Sequence, residues 1–187
     1  GDAALAEALA SYAGTGARGS IEHAQLARRE DLRRMAALGI RGSVQPAHLL
    51  DDRDLTEKVW GARSERCFAF RWMLEDGVEL ALGSDAPVSP LDPWLAMAAA
   101  VHRSADERDP WHAEQSLTVR EALAASVDGR PTVGAGSRAD LVLLDRDPLL
   151  RDLDPTDTGA LGAALRGIGA ALTVVGGRPV HRSAELG

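Results

Sequence analysis

The sequence predicts an α/β fold built on a parallel sheet. Short apolar, strand-like runs alternate with helix-patterned segments up to about residue 130. Each run ends at a residue that stops a ladder, such as Pro46 or the Gly83 to Pro87 turn. Polar side chains capable of chemistry stand just past those ends. Strands that alternate with helices imply parallel pairing with right-handed crossovers.

Taken in order, Asp2 can cap a helix over Ala3 to Ala10, all strong helix formers. Gly14 to Gly19 is glycine-rich and reads as a loop. Ser20 to Ala24 is short enough for one buried strand. Arg28 to Leu38 carries Leu32, Met35, Ala36 and Leu38 at helical spacing, and Gly39 is a fitting stop. Gly42 to Gln45 is the next strand, broken by Pro46, with His48 just beyond. Asp51 to Asp54 reads as a polar loop, followed by a short helix near Leu55 to Trp60. Phe70 to Glu75 is helical and Gly77 ends it. Val78 to Leu82 is a strand that runs into Gly83-Ser84-Asp85-Ala86-Pro87.

Asp92 and Pro93 start a further helix to Arg103, with Trp94, Leu95, Met97, Ala98 and Val101 expected inward. Thr118-Val119-Arg120-Glu121 is a capping box for a helix to about Val127. After Asp128-Gly129-Arg130-Pro131 the pattern changes. Ala139 to Asp145 is a strand. Ala171 to Val175 and Arg178 to His181 flank Gly176-Gly177 as a β-hairpin, and Pro179 puts the last strand at an edge. Gly159 to Ala170 fits either helix or loop.

Hydrophobic residues make up 45% of the 187 residues, enough for a sizeable core. The formal net charge is -7 and no basic tract is present, which argues against nucleic acid or an anionic membrane as partner. Arg28-Arg29 and Arg33-Arg34 alternate with acids and read as a solvated helix face. No stretch approaches the roughly 20 apolar residues of a membrane span, and no signal peptide is seen. Cys67 is the one cysteine, without an activating context.

The chemistry concentrates around Val78 to Pro90. Asp85 falls at the carboxyl end of a strand, where α/β folds bind ligands. His23, Gln45 and His48 fall at the ends of the two preceding strands and can converge with it on one face. Histidine nitrogen and aspartate oxygen suit zinc and similar ions. Each residue also has a plainer reading: Asp85 as a turn former, His23 and His48 as structural histidines. His102 and His112 read as solvated, and Trp72, Trp94 and Trp111 as packing residues. A catalytic zinc takes about three protein ligands and an open position, and spacing alone supplies only His23 and Asp85.

Four motifs in this order resemble the amidohydrolase superfamily, in particular its family 3, or YtcJ-like, branch. They are Ile21-Glu22-His23-Ala24-Gln25, Ser43-Val44-Gln45-Pro46-Ala47-His48, Gly83-Ser84-Asp85-Ala86-Pro87-Val88, and Ala139 to Asp145 with Asp147-Pro148. The closing Val174 to Arg178 is similar as well. The resemblance implies the C-terminal part of a (β/α)8 TIM-like barrel plus strands of a small β-sandwich subdomain, divided as residues 1–130 and 131–187. It implies a metal-dependent hydrolase of non-peptide carbon–nitrogen bonds, such as amides or cyclic amides. One or two divalent ions, commonly zinc, are the implied cofactor. His23 matches the sixth-strand ligand of the family. Asp85 matches the eighth-strand ligand that also shuttles protons and so is the catalytic residue. Gln45 and His48 become candidate substrate contacts.

Gly1-Asp2 resembles the end of the fifth-strand motif HAxGD, so the chain resembles the C-terminal portion of a longer enzyme. The expected partners are a small-molecule substrate and the absent N-terminal half of the barrel. Homo-oligomeric assembly is compatible with this reading, and the expected compartment is the cytoplasm. The isolated chain is expected to be inactive and poorly soluble, because sheet edges and an inner face lie open. The competing class is a non-catalytic α/β binding or structural module, which metal content separates.

Overall fold

The computed structural model describes residues 1–129 and 133–184. Two three-stranded sheets are present among them. The first is parallel, in the order β1 (Ser20–Glu22), β2 (Arg41–Val44), β3 (Leu80–Leu82). Its register pairs Glu22 with Ser43 and Ser43 with Ala81. The second is antiparallel, in the order β4 (Leu141–Leu144), β5 (Ala170–Val175), β6 (Arg178–Arg182). The alternating α/β order is as the sequence implies. No closed barrel is seen among the described residues. The domain boundary expected between residues 130 and 131 lies outside them.

Helix α1 (Asp2–Thr15) is longer than its apolar pattern suggested. It runs through Gly14 and ends at Gly16, whose φ of 65° is the left-handed conformation that a glycine cap adopts freely. Ser11 and Thr15 hydroxyls donate back to the carbonyls of Glu7 and Ser11 in their own helix. Helix α2 (Arg29–Ala37) buries Leu32 and Met35 and stops before Gly39. Arg33 and Arg34 are exposed, as the solvated face implies, while Arg29 is half-buried. Arg29 donates to Asp76 and Glu75 at 2.8 Å each and lies over the Trp72 ring. These contacts tie α2 to α4 (Phe70–Glu75).

A larger departure is α3 (His48–Trp60). The polar stretch Asp51 to Asp54 is not a loop but the second turn of one continuous helix. Its buried residues are Leu49 and Thr56, while Leu55 and Val59 face solvent. The expected short helix near Leu55 to Trp60 is its second half, and an apolar-stripe criterion misses the first.

Helix α5 (Pro93–His102) starts as expected: Asp92 accepts from the N–H groups of Trp94 and Leu95, and Pro93 opens the helix. From Ala96 to Val101 every residue is buried, because α6 (Val119–Ser126), α7 (Thr158–Arg166) and β3 all pack on it. Helix α7 resolves the undecided Gly/Ala-rich stretch, and it presses close. A Cβ on Gly162 would lie 2.9 Å from the Cβ of His102. His102 is therefore half-buried rather than solvated, with Nδ1 3.2 Å from the Thr158 hydroxyl. His112 is likewise half-buried, its ring 4.8 Å from that of Trp111.

The capping box at α6 forms. Glu121 N–H donates to Thr118 Oγ1, and Thr118 N–H donates to Glu121 Oε2. Arg71 of α4 grips the same carboxylate through two bonds of 2.7 Å. The core beneath includes Leu9, Leu32, Met35, Phe70, Met73, Met97 and Leu165. Each contributes about 1.5–3 kcal/mol by leaving water.

Gly162→Ala should destabilise the protein by about 1–3 kcal/mol, the usual cost of overpacking a tight contact. Denaturant unfolding measures it, and an unchanged midpoint would show the helices free to separate. A second expectation concerns pH. The Arg71 hydrogen bonds hold the Glu121 carboxyl down at about 2 against an ordinary 4.5. A depressed acid stabilises the fold above the unfolded value, and that contribution is lost as pH falls from about 4.5 to about 2. Glu121→Gln should flatten the stability profile across that window, as read by melting temperature against pH.

Candidate metal centre

Parallel pairing in register puts the carboxyl ends of β1, β2 and β3 along one edge. Each strand ends for its own local reason. After Glu22 the chain turns left-handed, with φ of 65° at His23 and 43° at Ala24. Pro46 has no N–H to offer a ladder after Val44. After Leu82 the chain passes Gly83, and Asp85 again has a positive φ, 55°. Left-handed non-glycine residues cost of order 1–3 kcal/mol each and persist only where surroundings hold them. Two of them here bear the side chains that sequence reasoning singled out.

Those side chains converge. His23, His48 and Asp85 each offer a ligand atom, all within 4.8 Å of one another. Among the described residues this is the one such group of three histidine, cysteine or acidic side chains. His23 Nε2 lies 4.0 Å from Asp85 Oδ2, both side chains about half exposed. The His23 and His48 rings stack with centroids 5.8 Å apart and planes at 25°. His48 Nε2 is buried and has no hydrogen-bond partner among the described residues. A polar nitrogen buried that way is costly unless something binds it. Two imidazoles, a carboxylate and one unpartnered buried nitrogen fit a zinc-like divalent ion.

Sequence reasoning had His48 facing substrate. The fold sets it in the same cluster as His23 and Asp85, because α3 starts at His48 itself. Gln45 is buried on the same edge, and its side-chain N–H donates to Glu22 Oε2 at 3.2 Å. Its Oε1 has no partner among the described residues. Sequence reasoning missed the partners around these groups. Gln25 donates to Asp52 Oδ2 at 2.9 Å. The signal for that pair was the four-residue spacing of His48 and Asp52 on one helix face, hidden while Asp52 counted as loop.

A cleft of about 430 Å³ opens beside the cluster, walled by His23, His48, Trp60 and the Leu5 side of α1. A larger cleft, about 490 Å³, lies between α6, α7 and residues 149–155. It holds no metal-ligand cluster, and two of its cations are already paired, Arg71 with Glu121 and Arg151 with Asp147. Cys67 has no part in this chemistry. It is fully buried, and burial pushes its thiol up to about 12, so it is not a nucleophile near neutral pH.

Comparison with known proteins bears on the same edge. An N-substituted formamide deformylase from Arthrobacter pascens is 35% identical over 94 residues, 45% of this chain and 17% of that protein. The putative amidohydrolase YtcJ of Bacillus subtilis (strain 168) is 32% identical over 103 residues, 48% of this chain and 20% of that protein. A crystal structure of an uncharacterized metal-dependent hydrolase from Pyrococcus horikoshii OT3 superposes with a TM-score of 0.65 at 32% identity. That superposition covers 80% of this chain and 33% of the other. The matched parts thus span about a fifth of the curated relatives and a third of the solved structure. The sequence profile of the amidohydrolase family matches residues 1–181. Because that match runs through both sheets and not only the site edge, the chain belongs to the amidohydrolase family.

Proposed function

We propose that the intact protein is a metal-dependent hydrolase of non-peptide C–N bonds in amides or cyclic amides. In this reading the chain contributes the C-terminal part of a (β/α)8 barrel and strands of a β-sandwich. The observation that carries it is the convergence of His23, His48 and Asp85 from three strand ends to within 4.8 Å. Family membership and the likeness to a formamide deformylase favour C–N cleavage. The charge of -7 gives no attraction for nucleic acid, and among the described residues no helix is long and apolar enough to cross a membrane.

His23 and Asp85 would hold the ion, zinc by the chemistry of the set. The closeness of His48 favours it as the third donor over the substrate contact that its position past β2 suggested. Together, His23, His48 and Asp85 would be the residues that hold the ion. A bound ion of this kind supplies Lewis-acid polarisation of a carbonyl and acidifies water toward a pKa of about 7. Asp85, half exposed beside His23, accepts a proton from the attacking water. The water oxygen bonds to the carbonyl carbon, the C–N bond breaks, and Asp85 returns the proton to the leaving nitrogen. Gln45 lies on the same edge with a buried, unpartnered carbonyl oxygen, and we keep it as a candidate substrate contact. The 187-residue chain alone should turn over little, since among the described residues the outer edges of β1 and β3 are unpaired.

Metal analysis of the intact protein should find zinc or a similar ion, lost in His23→Ala and in Asp85→Ala. His48→Ala should also lose metal; retained metal with a raised KM would return His48 to the substrate role. Metal absent from the wild type would leave the fold without this chemistry. Asp85→Asn should lower kcat by about 10²–10⁴, the usual worth of a positioned acid–base group. Near-wild-type turnover would remove Asp85 from the shuttle role.

A further inference from the structure

We propose that Gln25 and Asp52 are positioning residues for the metal centre, holding the loop that carries His23 against the helix that carries His48. The inference rests on the metal reading above and names what keeps its two imidazoles at working distance.

The two segments meet twice, side by side. His23 stacks on His48, and two residues further along the loop Gln25 donates to Asp52 Oδ2 at 2.9 Å. Asp52 stands four residues after His48 in α3, so both side chains project from one face of the helix. The second contact therefore sets the register of the first. Among the described residues, Gln25–Asp52 is the one side-chain hydrogen bond that joins residues 23–28 to α3.

The loop's other bonds lead elsewhere. His23 N–H donates to Ser43 of β2, Ala27 N–H donates to the Arg66 carbonyl, and Phe68 N–H donates to the Gln25 carbonyl. These fix the backbone of the loop against β2 and against the segment after α3. They leave its distance to the first two turns of α3 to the side chains. The N-cap residue of helix α3, Ala47, gives no side-chain cap. Asp52 has no cation partner among the described residues, so the amide N–H of Gln25 is what its half-buried carboxylate binds. A hydrogen bond to an ionised acceptor is stronger and shorter than a neutral one. A brace of this kind suits two ligands that belong to different segments, because metal affinity depends on how well the supporting residues orient the ligands.

Zinc titration of the intact protein tests the brace with a crossed pair of variants. Gln25→Ala keeps the Asp52 charge and loses the bond. Asp52→Asn loses the charge and keeps an oxygen for Gln25 to bind. Gln25→Ala and Asp52→Ala should weaken zinc by about ten-fold, the lower end for loss of an orienting partner, with melting temperatures near wild type. Asp52→Asn should stay close to wild-type affinity. The brace is overturned if Gln25→Ala binds zinc as wild type does. It is equally overturned if Asp52→Asn is as weak as Asp52→Ala, which would assign the effect to charge. A wild type that takes up no zinc overturns the metal reading and the brace together, whereas wild-type binding with unmoved variants overturns the brace alone.

Discussion

The parallel register of β1, β2 and β3 is the constraint from which the site follows. Each strand is only three or four residues long, so its end is set within a residue by the pairing. A slip of one position would turn His23 or Asp85 to the opposite face of the sheet. Close packing between β2 and β3 accompanies that register. A Cβ on Gly42 would meet Leu80 Cδ2 at 3.2 Å, so strand and neighbours fit at the closest approach that glycine allows. The positions of His23 and Asp85 thus follow from backbone pairing, and that of His48 from the start of α3.

Charge is used economically around this frame. Arg71 binds Glu121 and the Ser116 carbonyl, and so ties α4 to the start of α6. Arg103, fully buried, donates to the carbonyls of Trp111 and Phe68 and lies over the Phe70 ring. It pins the turn after α5 without a carboxylate partner among the described residues. Both arginines are occupied with structure, and the cluster of His23, His48 and Asp85 includes neither of them.

Much of this was legible from the residues, for definite reasons. Strand ends show in sequence because Pro46 and the turn at Gly83 stop ladders, so His23 and Asp85 could be placed on one edge before any coordinates. Caps show because Asp92-Pro93 and Thr118 to Glu121 act within four residues. Only the second half of helix α3 showed, because Asp51-Asp52-Arg53-Asp54 is polar throughout and offers no apolar stripe. With Asp51 to Asp54 read as a loop, the place of His48 beside His23 and the bond from Gln25 to Asp52 stayed hidden. His102 was misread for another reason: what covers it is α7, some sixty residues further along the chain, and no local pattern reports such a neighbour.

The close contact of α5 with α7 also has a meaning for how this sequence can drift. His102 and Gly162 share one volume, and Thr158 completes the trio through its hydroxyl. None of the three can change size alone. A side chain gained at residue 162 calls for a smaller one at 102, and losing the imidazole at 102 strands the hydroxyl at 158. These positions are bound to vary together, as a compensating set, while their neighbours on the exposed side of α7 vary one at a time.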